Sequence, residues 1–162
     1  MTRPDKNNQN SSGKSEPAAW HFDQSMASDP DQCAPLIAQI LEQLDRFEWS
    51  NKDTFAIHMS MEEGILNAIR HGNRCCSEKR VRVRIDLDQT SFYAQISDEG
   101  EGFCLEDVPD PTLEENLEKT SGRGVMLIRV FMDRVVYNEK GNSVELFKTK
   151  TAGESTATQS AS

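Results

Sequence analysis

Apolar residues follow a helical period over two stretches in the first half of the chain. In residues 36–47 they recur every three or four positions, which predicts a first helix. Asp29 is placed to act as its N-cap, and Pro30 suits its first turn because the missing N–H is not needed there. A second helix is predicted over 52–72, with Ser50 or its neighbour Asn51 as the cap.

Alternation of apolar and polar residues predicts the strands. Residues 80–85, Arg-Val-Arg-Val-Arg-Ile, show the pattern most clearly and indicate a strand with one buried face and one charged face. The predicted strands are 20–27, 79–87, 91–97, 134–139 and 143–149. The segment SGRGVMLIRVFMD, residues 121–133, is expected to open a third helix at a glycine turn.

The predicted order of elements is strand, helix, helix, strand, strand, loop, helix, strand, strand. Because strands and helices do not alternate strictly, we predict an α+β two-layer sandwich. Its sheet is expected to be mixed, mostly antiparallel, with the helices on one face. The domain is predicted to span residues 20–150. Residues 1–19 and 151–162 are polar or small and cannot offset the entropy of ordering, so we expect two disordered tails.

Composition narrows the classes of function. Asp and Glu number 27 against 18 Lys and Arg, and the resulting net charge of −9 disfavours direct binding of nucleic acid. No apolar run approaches the ~18 residues of a membrane span, and residues 1–19 show no signal-peptide pattern. We therefore expect a cytoplasmic protein without a membrane partner. The four cysteines form no CxxC pair, which favours free thiols.

A polar stripe runs along the second predicted helix. Glu63, Asn67 and His71 are spaced four residues apart and therefore share one side of it. The stripe lacks the repeated Lys and Glu that are typical of a solvated face. Two explanations remain open at this point. One is a polar stripe ended by Gly72 as helix C-cap, and the other is a row of side chains that face a ligand.

Two glycine motifs follow. In SDEGEGF, residues 97–103, Asp98 ends a strand and can accept a hydrogen bond from an exocyclic amine. Gly100 and Gly102 would let the backbone pass close to a flat ring, although an ordinary tight turn has the same composition. In SGRGVMLI, residues 121–128, a glycine loop leads into a helix. It can either direct backbone N–H groups at phosphate or serve as a flexible connection.

Taken together and in this order, the three motifs resemble the GHKL (Bergerat-fold) ATPases, in which they form the N, G1 and G2 boxes. The closer resemblance is to the small anti-sigma factor serine kinases. The segments EEGILNAIRHGN, SDEGEGF and SGRGVMLIRVFMDRVVYN are all similar to that family. The resemblance covers about residues 20–149 and implies a Bergerat ATP-binding fold.

The resemblance also implies roles for individual residues. Asn67 would ligate a Mg²⁺ that bridges the phosphates of ATP, and Glu63 would be the general base for a substrate serine hydroxyl. Asp98 would read the adenine amino group, with Gly100 and Gly102 flanking the base. The backbone N–H groups of the third motif would cradle the phosphates. The remaining residues assigned to the nucleotide site are His71, Phe103, Lys119, Ser121, Gly122, Arg123, Gly124 and Val125.

The loop between the second and third motifs departs from some members of the family. Phosphoryl transfer needs cations around the γ-phosphate, and some members supply an arginine from this loop. Residues 104–120 contain no arginine, so Lys119 and Arg123 are the nearby candidates. We expect the loop to act as a lid over the phosphates, because it lies between two ligand motifs.

The resemblance implies a Mg-ATP-dependent serine/threonine protein kinase that acts as an anti-sigma factor. Its partners would be a STAS-type anti-anti-sigma protein, as phosphate acceptor, and a sigma factor that it sequesters. A homodimer is also implied. Glu63 favours this function. The acidic, arginine-free loop favours the alternative, an ATP-binding regulatory module that binds partners without phosphoryl transfer.

Overall fold

The structure is a computed structural model that describes residues 18–101 and 120–152, with the backbone alone for 120–124. The strands are β1 (Ala19–Ala27), β2 (Arg80–Asp88), β3 (Ser91–Ser97), β4 (Arg134–Tyr137) and β5 (Ser143–Thr149). The helices are α1 (Cys33–Arg46), α2 (Asn51–Asn67) and α3 (Thr120–Phe131). A 3-10 turn (Pro30–Gln32) leads into α1, and a π turn (Ala68–Gly72) continues α2.

The five strands form one sheet in the order β1-β2-β3-β5-β4. All neighbouring pairs among these strands are antiparallel. The predicted α+β fold with a mostly antiparallel sheet is confirmed, but the described strands contain no parallel pair. The reason is that β5 lies between β3 and β4, so the two strands that α3 separates in the chain are not hydrogen-bonded to each other.

The hydrophobic core lies between one face of the sheet and the helices. On β2 the buried residues alternate along the strand: Val81, Val83, Ile85 and Leu87. They share one core with buried residues of α1 and α2, among them Ile40, Leu44, Ile57, Met61 and Ile65. Full burial of each such side chain contributes about 1.5–3 kcal/mol. The other face of β2 is charged, and Arg82 forms an ion pair with Asp23 of β1 at 2.8 Å.

Both predicted helix starts are present. The carboxylate of Asp29 accepts a hydrogen bond from the Asp31 N–H at 2.9 Å, and Pro30 occupies the first position of the 3-10 turn. The hydroxyl of Ser50 accepts from the Asp53 N–H at 3.1 Å, so Ser50 is the cap of α2. Each cap satisfies a backbone donor that the helix itself leaves unpaired.

The end of the second helix differs from the expectation. The regular helix ends at Asn67, and residues 68–72 form a wider π turn. The C-cap explanation for Gly72 is wrong, because the left-handed backbone conformation occurs instead at Arg74 and Cys75, with φ of 51° and 55°. A π turn of this kind is frequent at functional sites.

The ordered region also extends beyond its predicted end at residue 150. Thr151, expected in the tail, donates its backbone N–H to the carboxylate of Asp53 at 2.9 Å. The rest of the predicted tails, residues 1–17 and 153–162, lies outside the described residues. Within the described part of the chain, no helix is long and apolar enough to cross a membrane.

Candidate nucleotide-binding site

Helix α2 carries the two polar side chains of the first motif. Glu63 and Asn67 lie one turn apart, and both are half-buried. Neither makes a hydrogen bond or an ion pair with another residue that the structure describes. Met61 and Ile65, on the other side of α2, are fully buried in the core. The helix thus holds a carboxylate and a carboxamide in place, and no described residue occupies their hydrogen-bonding groups.

Gly64 sets how closely α2 approaches its neighbours. A Cβ added at this position would lie 2.7 Å from the Cδ1 of Ile96 on β3 and 4.0 Å from the Cδ1 of Ile128 on α3. The elements that carry the three motifs therefore converge beside Glu63. Sequence reasoning missed Gly64, although a glycine inside a helix is unfavourable enough to indicate close packing.

Asp98 follows directly after β3 and is half-buried. Burial raises the pKa of its carboxyl group, and the hydrogen bond from the Gly100 N–H opposes that rise. This bond, 2.8 Å long, uses Oδ1. Oδ2 accepts no hydrogen bond from any described residue, so one carboxylate oxygen remains available to an amine donor.

The ends of the first and second motifs lie directly against each other. A Cβ on Gly72 would overlap the carboxylate of Asp98, and a Cβ on Gly100 would overlap the carbonyl oxygen of Gly72. The close approach at Gly100 is therefore to protein backbone, which differs from its predicted role beside a flat ring. Both glycines are required for space rather than for a left-handed conformation.

Asn73 lies beside Asp98 and Gly72, but no role was predicted for it from the sequence. Its side chain is 1% exposed, and its Nδ2 donates to the hydroxyl of Ser28 at 2.7 Å and to the carbonyl of Arg80 at 3.0 Å. Its Oδ1 accepts from the Glu99 N–H at 2.8 Å. The sequence offers one signal, an asparagine immediately after a helix end, and that is also typical of an ordinary turn.

The third motif begins α3 rather than preceding it. The predicted third helix is present, but it starts at Thr120, so the glycines of SGRG lie within its first turns and not in a loop before it. The first four N–H groups of a helix have no intrahelical acceptor, so Ser121, Gly122 and Arg123 still present backbone donors. The N–H groups of Gly124 and Val125 instead fall within the helical hydrogen-bonding pattern. Their part in a phosphate cradle stays a prediction.

The remaining assignments are only partly described. His71 lies in the π turn and is exposed, while Val125 is buried. Gly102, Phe103 and Lys119 lie outside the described residues, as does nearly all of the expected lid.

The described groups fit a magnesium nucleotide. Asn67 offers a neutral oxygen ligand of the kind that Mg²⁺ accepts, and Asp98 Oδ2 offers an acceptor for an amine. Within residues 18–101 and 120–152, no three His, Cys, Asp or Glu side chains could hold a metal ion between them. A cation beside Asn67 would therefore take further ligands from phosphate and water, as Mg²⁺ usually does.

Comparison with known proteins agrees with this arrangement. The family model described as a histidine kinase-like ATPase domain matches residues 26–148. The anti-sigma F factor of Bacillus subtilis is 31% identical over 118 residues, which cover 69% of this chain and 78% of that protein. The anti-sigma F factor of Clostridium perfringens is 31% identical over 98 residues, which cover 58% of this chain and 69% of that protein.

A solved structure supports the fold. The structure of the RsbU and RsbW domains of a Mycobacterium tuberculosis protein matches with a TM-score of 0.55 at 14% identity. The match covers 80% of this chain and 31% of that one, so the chain spans about a third of its length. The matched family model and the curated relatives together show that the chain belongs to the anti-sigma factors built on a histidine kinase-like ATPase domain.

Proposed function

We propose that this protein is a Mg-ATP-dependent anti-sigma factor that phosphorylates a serine of a STAS-type anti-anti-sigma protein and sequesters a sigma factor. One observation carries the proposal. Two polar side chains on adjacent turns of α2, Glu63 and Asn67, are half-buried yet make no hydrogen bond or ion pair with another described residue. A half-buried carboxylate and carboxamide on adjacent turns can bind water or a ligand, and Mg-ATP is the ligand that the family's ATPase domain would bring there.

Each described residue has a distinct part in this proposal. Bound Mg-ATP would supply the phosphoryl group and the positive charge that offsets the charge on the phosphates. Asn67 holds the metal through its carboxamide oxygen, and Asp98 accepts a hydrogen bond from the adenine amino group. Backbone N–H groups in the first turn of α3 would donate to phosphate oxygens, where the helix dipole also favours negative charge.

Glu63 acts on the protein substrate. Its carboxylate lies one turn before Asn67, so it reaches the same space without being needed as a metal ligand. There it would accept the proton of a serine hydroxyl as the oxygen attacks the γ-phosphorus of ATP and the bond to the departing ADP breaks. Removal of a general base typically lowers the rate ~10²–10⁴-fold.

The proposed partners follow from the family. The relatives named anti-sigma F factors act, by their names, on a sigma factor. For this chain we propose a sigma factor and a STAS-type protein as partners, a homodimeric state, and a place in the cytoplasm where a sigma factor works.

The test is single-turnover phosphoryl transfer from labelled ATP to purified STAS-domain proteins of the same organism. Glu63→Gln should lose transfer ~10²–10⁴-fold and keep ATP binding, because glutamine has the same shape but cannot take the proton. Glu62→Gln is the matched control. Glu62 neighbours Glu63 on α2, and its carboxylate lies 3.6 Å from the His58 ring.

Two results would contradict the proposal in different ways. Transfer by Glu63→Gln at the wild-type rate would remove Glu63 from the chemistry. A wild-type protein that binds ATP but transfers nothing to a STAS partner would favour the alternative, an ATP-binding regulatory module. The arginine-free sequence of residues 104–120 favours that alternative.

A further inference from the structure

We propose that Asn73, Glu99 and Arg80 form a positioning device that makes the site selective for adenine over hypoxanthine. The inference rests on the proposed binding of ATP, with Asp98 as the reader of the base. It concerns three residues that have no part in the proposed chemistry. None of the three needs to touch the nucleotide, because they act through the carboxylate of Asp98.

The three residues close a ring of hydrogen bonds. The Oδ1 of Asn73 accepts from the Glu99 N–H at 2.8 Å. The Oε1 of Glu99 accepts from the Arg80 N–H at 2.8 Å. The carbonyl of Arg80 accepts from the Nδ2 of Asn73 at 3.0 Å. The ring thus joins the turn after α2, the loop after β3 and the first residue of β2.

Burial makes one side of this ring rigid. Asn73 is 1% exposed, and its second Nδ2 hydrogen binds the hydroxyl of Ser28, which in turn donates to the carbonyl of Lys79 at 2.6 Å. The side chain therefore has partners for both donors and for its acceptor. Loss of any one would leave a buried polar group unpaired, which is costly. Glu99 is exposed, so the ring can also be opened from the solvent side.

The ring fixes one side of Asp98, and a second asparagine fixes the other. The Asp98 N–H donates to the carbonyl of Asn142 at 2.9 Å, and the Asn142 Nδ2 donates to the Asp98 carbonyl at 3.3 Å. Glu99 is the next residue in the chain, so the peptide groups on both sides of the Asp98 side chain are held. The carboxylate is then presented in one direction, with Oδ1 bound to Gly100 and Oδ2 without a hydrogen bond from any described residue.

A fixed carboxylate discriminates between bases by the group at position 6. Adenine presents an amino group there, which donates to Oδ2. Hypoxanthine presents a carbonyl oxygen at this position, which repels a carboxylate held in the direction of the adenine amino group. A loosened Asp98 could turn away from the carbonyl and would reject hypoxanthine less strongly. The ratio of the ITP and ATP dissociation constants therefore reports on the positioning of Asp98.

The experiment measures ATP and ITP binding to the full chain by calorimetry. Glu99→Ala should lower the ITP-to-ATP ratio of dissociation constants about threefold, and Glu99→Gln should restore it because the amide keeps an acceptor for the Arg80 N–H. Asn73→Ala should lower the ratio about tenfold. Ser28→Ala is the matched control. It removes a hydrogen bond from the same buried asparagine outside the ring, and should lower the melting temperature without changing the ratio.

The outcomes distinguish the proposed ATP binding from the positioning role of the ring. If wild type binds no ATP, the proposed function fails. If wild type prefers ATP and both Glu99→Ala and Asn73→Ala keep the full preference, the positioning role alone is overturned. Failure of Glu99→Gln to restore the ratio would also overturn the positioning role. The charge of Glu99, and not its hydrogen bond in the ring, would then determine the selectivity. Should Asn73→Ala not fold, the exposed Glu99 variants still decide the question.

Discussion

At Gly100, the absence of a side chain allows the first and second motifs to pack against each other. Its backbone lies against the carbonyl oxygen of Gly72, and a Cβ at this position would overlap that oxygen. Backbone atoms cannot move aside as a flexible side chain can, so the substitution forces the two motifs apart. Ordinary turn chemistry does not explain this glycine, because the strain comes from an element that is distant in the chain.

We expect Gly100→Ala to lower the free energy of unfolding by about 1–3 kcal/mol, as overpacking usually does. It should also weaken ATP binding, because Asp98 would shift. The control is Glu101→Ala, an exposed position in the same loop. Urea unfolding of both variants provides the measurement. Equal stability of the two variants would show that the loop and the π turn do not touch as described.

The cysteines differ in reactivity for a physical reason. Burial raises the pKa of the Cys33 thiol to about 11, with the nearby charge of Glu62 adding to the rise. Cys75 is exposed. Since the thiolate is the nucleophile, an alkylating reagent at pH 8 should label Cys75 in the folded protein and Cys33 only after unfolding in urea. Peptide mapping by mass spectrometry checks this, and equal labelling of both in the folded protein would refute the burial of Cys33.

At the scale of elements, the start of α2 is anchored to β5 and to the residues that follow it. Asp53 in its first turn is 2% exposed. It accepts hydrogen bonds from the backbone N–H and the hydroxyl of Thr151, and Lys148 lies 3.7 Å away. Burial by itself raises the pKa of Asp53, but the bonds from Thr151 and the charge of Lys148 outweigh it, and the net pKa is lowered. The helix that carries the proposed catalytic residue is thus fixed to the last strand.

A lowered pKa in the folded protein means that ionised Asp53 stabilises the fold above the unfolded pKa. This contribution is lost as the pH falls through the folded value. Asp53→Asn should therefore cost about 1–3 kcal/mol at pH 7, and the difference from wild type should shrink below about pH 4. Urea unfolding at several pH values measures it, with Asp45→Asn, an exposed position on α1, as control. A difference that stays constant with pH would contradict the anchoring role of the charge.

At the scale of the whole molecule, three elements meet at Gly64. Helix α2 packs against α3 and against β3, so the elements that carry the three motifs are in contact around Gly64. The sheet order contributes to this arrangement. Because β5 lies between β3 and β4, its hairpin turn reaches the end of β3, where Asn142 binds Asp98.

Mg-ATP should consequently stabilise the whole domain. At one hundred times its dissociation constant, a ligand that binds only the folded state adds about 2.7 kcal/mol. We expect this gain in wild type and in Asn51→Ala, an exposed asparagine at the start of the same helix. It should be absent in Asn67→Ala and when EDTA removes the metal. Thermal unfolding with and without Mg-ATP is the measurement, and full stabilisation of Asn67→Ala would exclude it as the metal ligand.

The sequence by itself determined the local structure of this protein. Residues close in the chain set the helix caps at Asp29 and Ser50 and the alternation of β2, because each depends on neighbours within one turn or one strand. The three motifs and their order indicated the family, because the resemblance can be read directly along the chain. The α+β class also followed from the order of elements alone. The length and type of the last turn of α2 did not follow from the sequence, because its π turn packs against the loop at Asp98, which is distant in the chain.

Only the tertiary structure decided which distant groups meet. That Gly72 and Gly100 are needed for space, and that Asn73 binds Ser28, Arg80 and Glu99, depends on contacts between separate elements. An asparagine after a helix has the same local preference whether it faces solvent or closes a buried ring. Its role is set by the partners that the fold brings within hydrogen-bonding distance. The free energy of these hydrogen bonds is gained only when the sheet has formed.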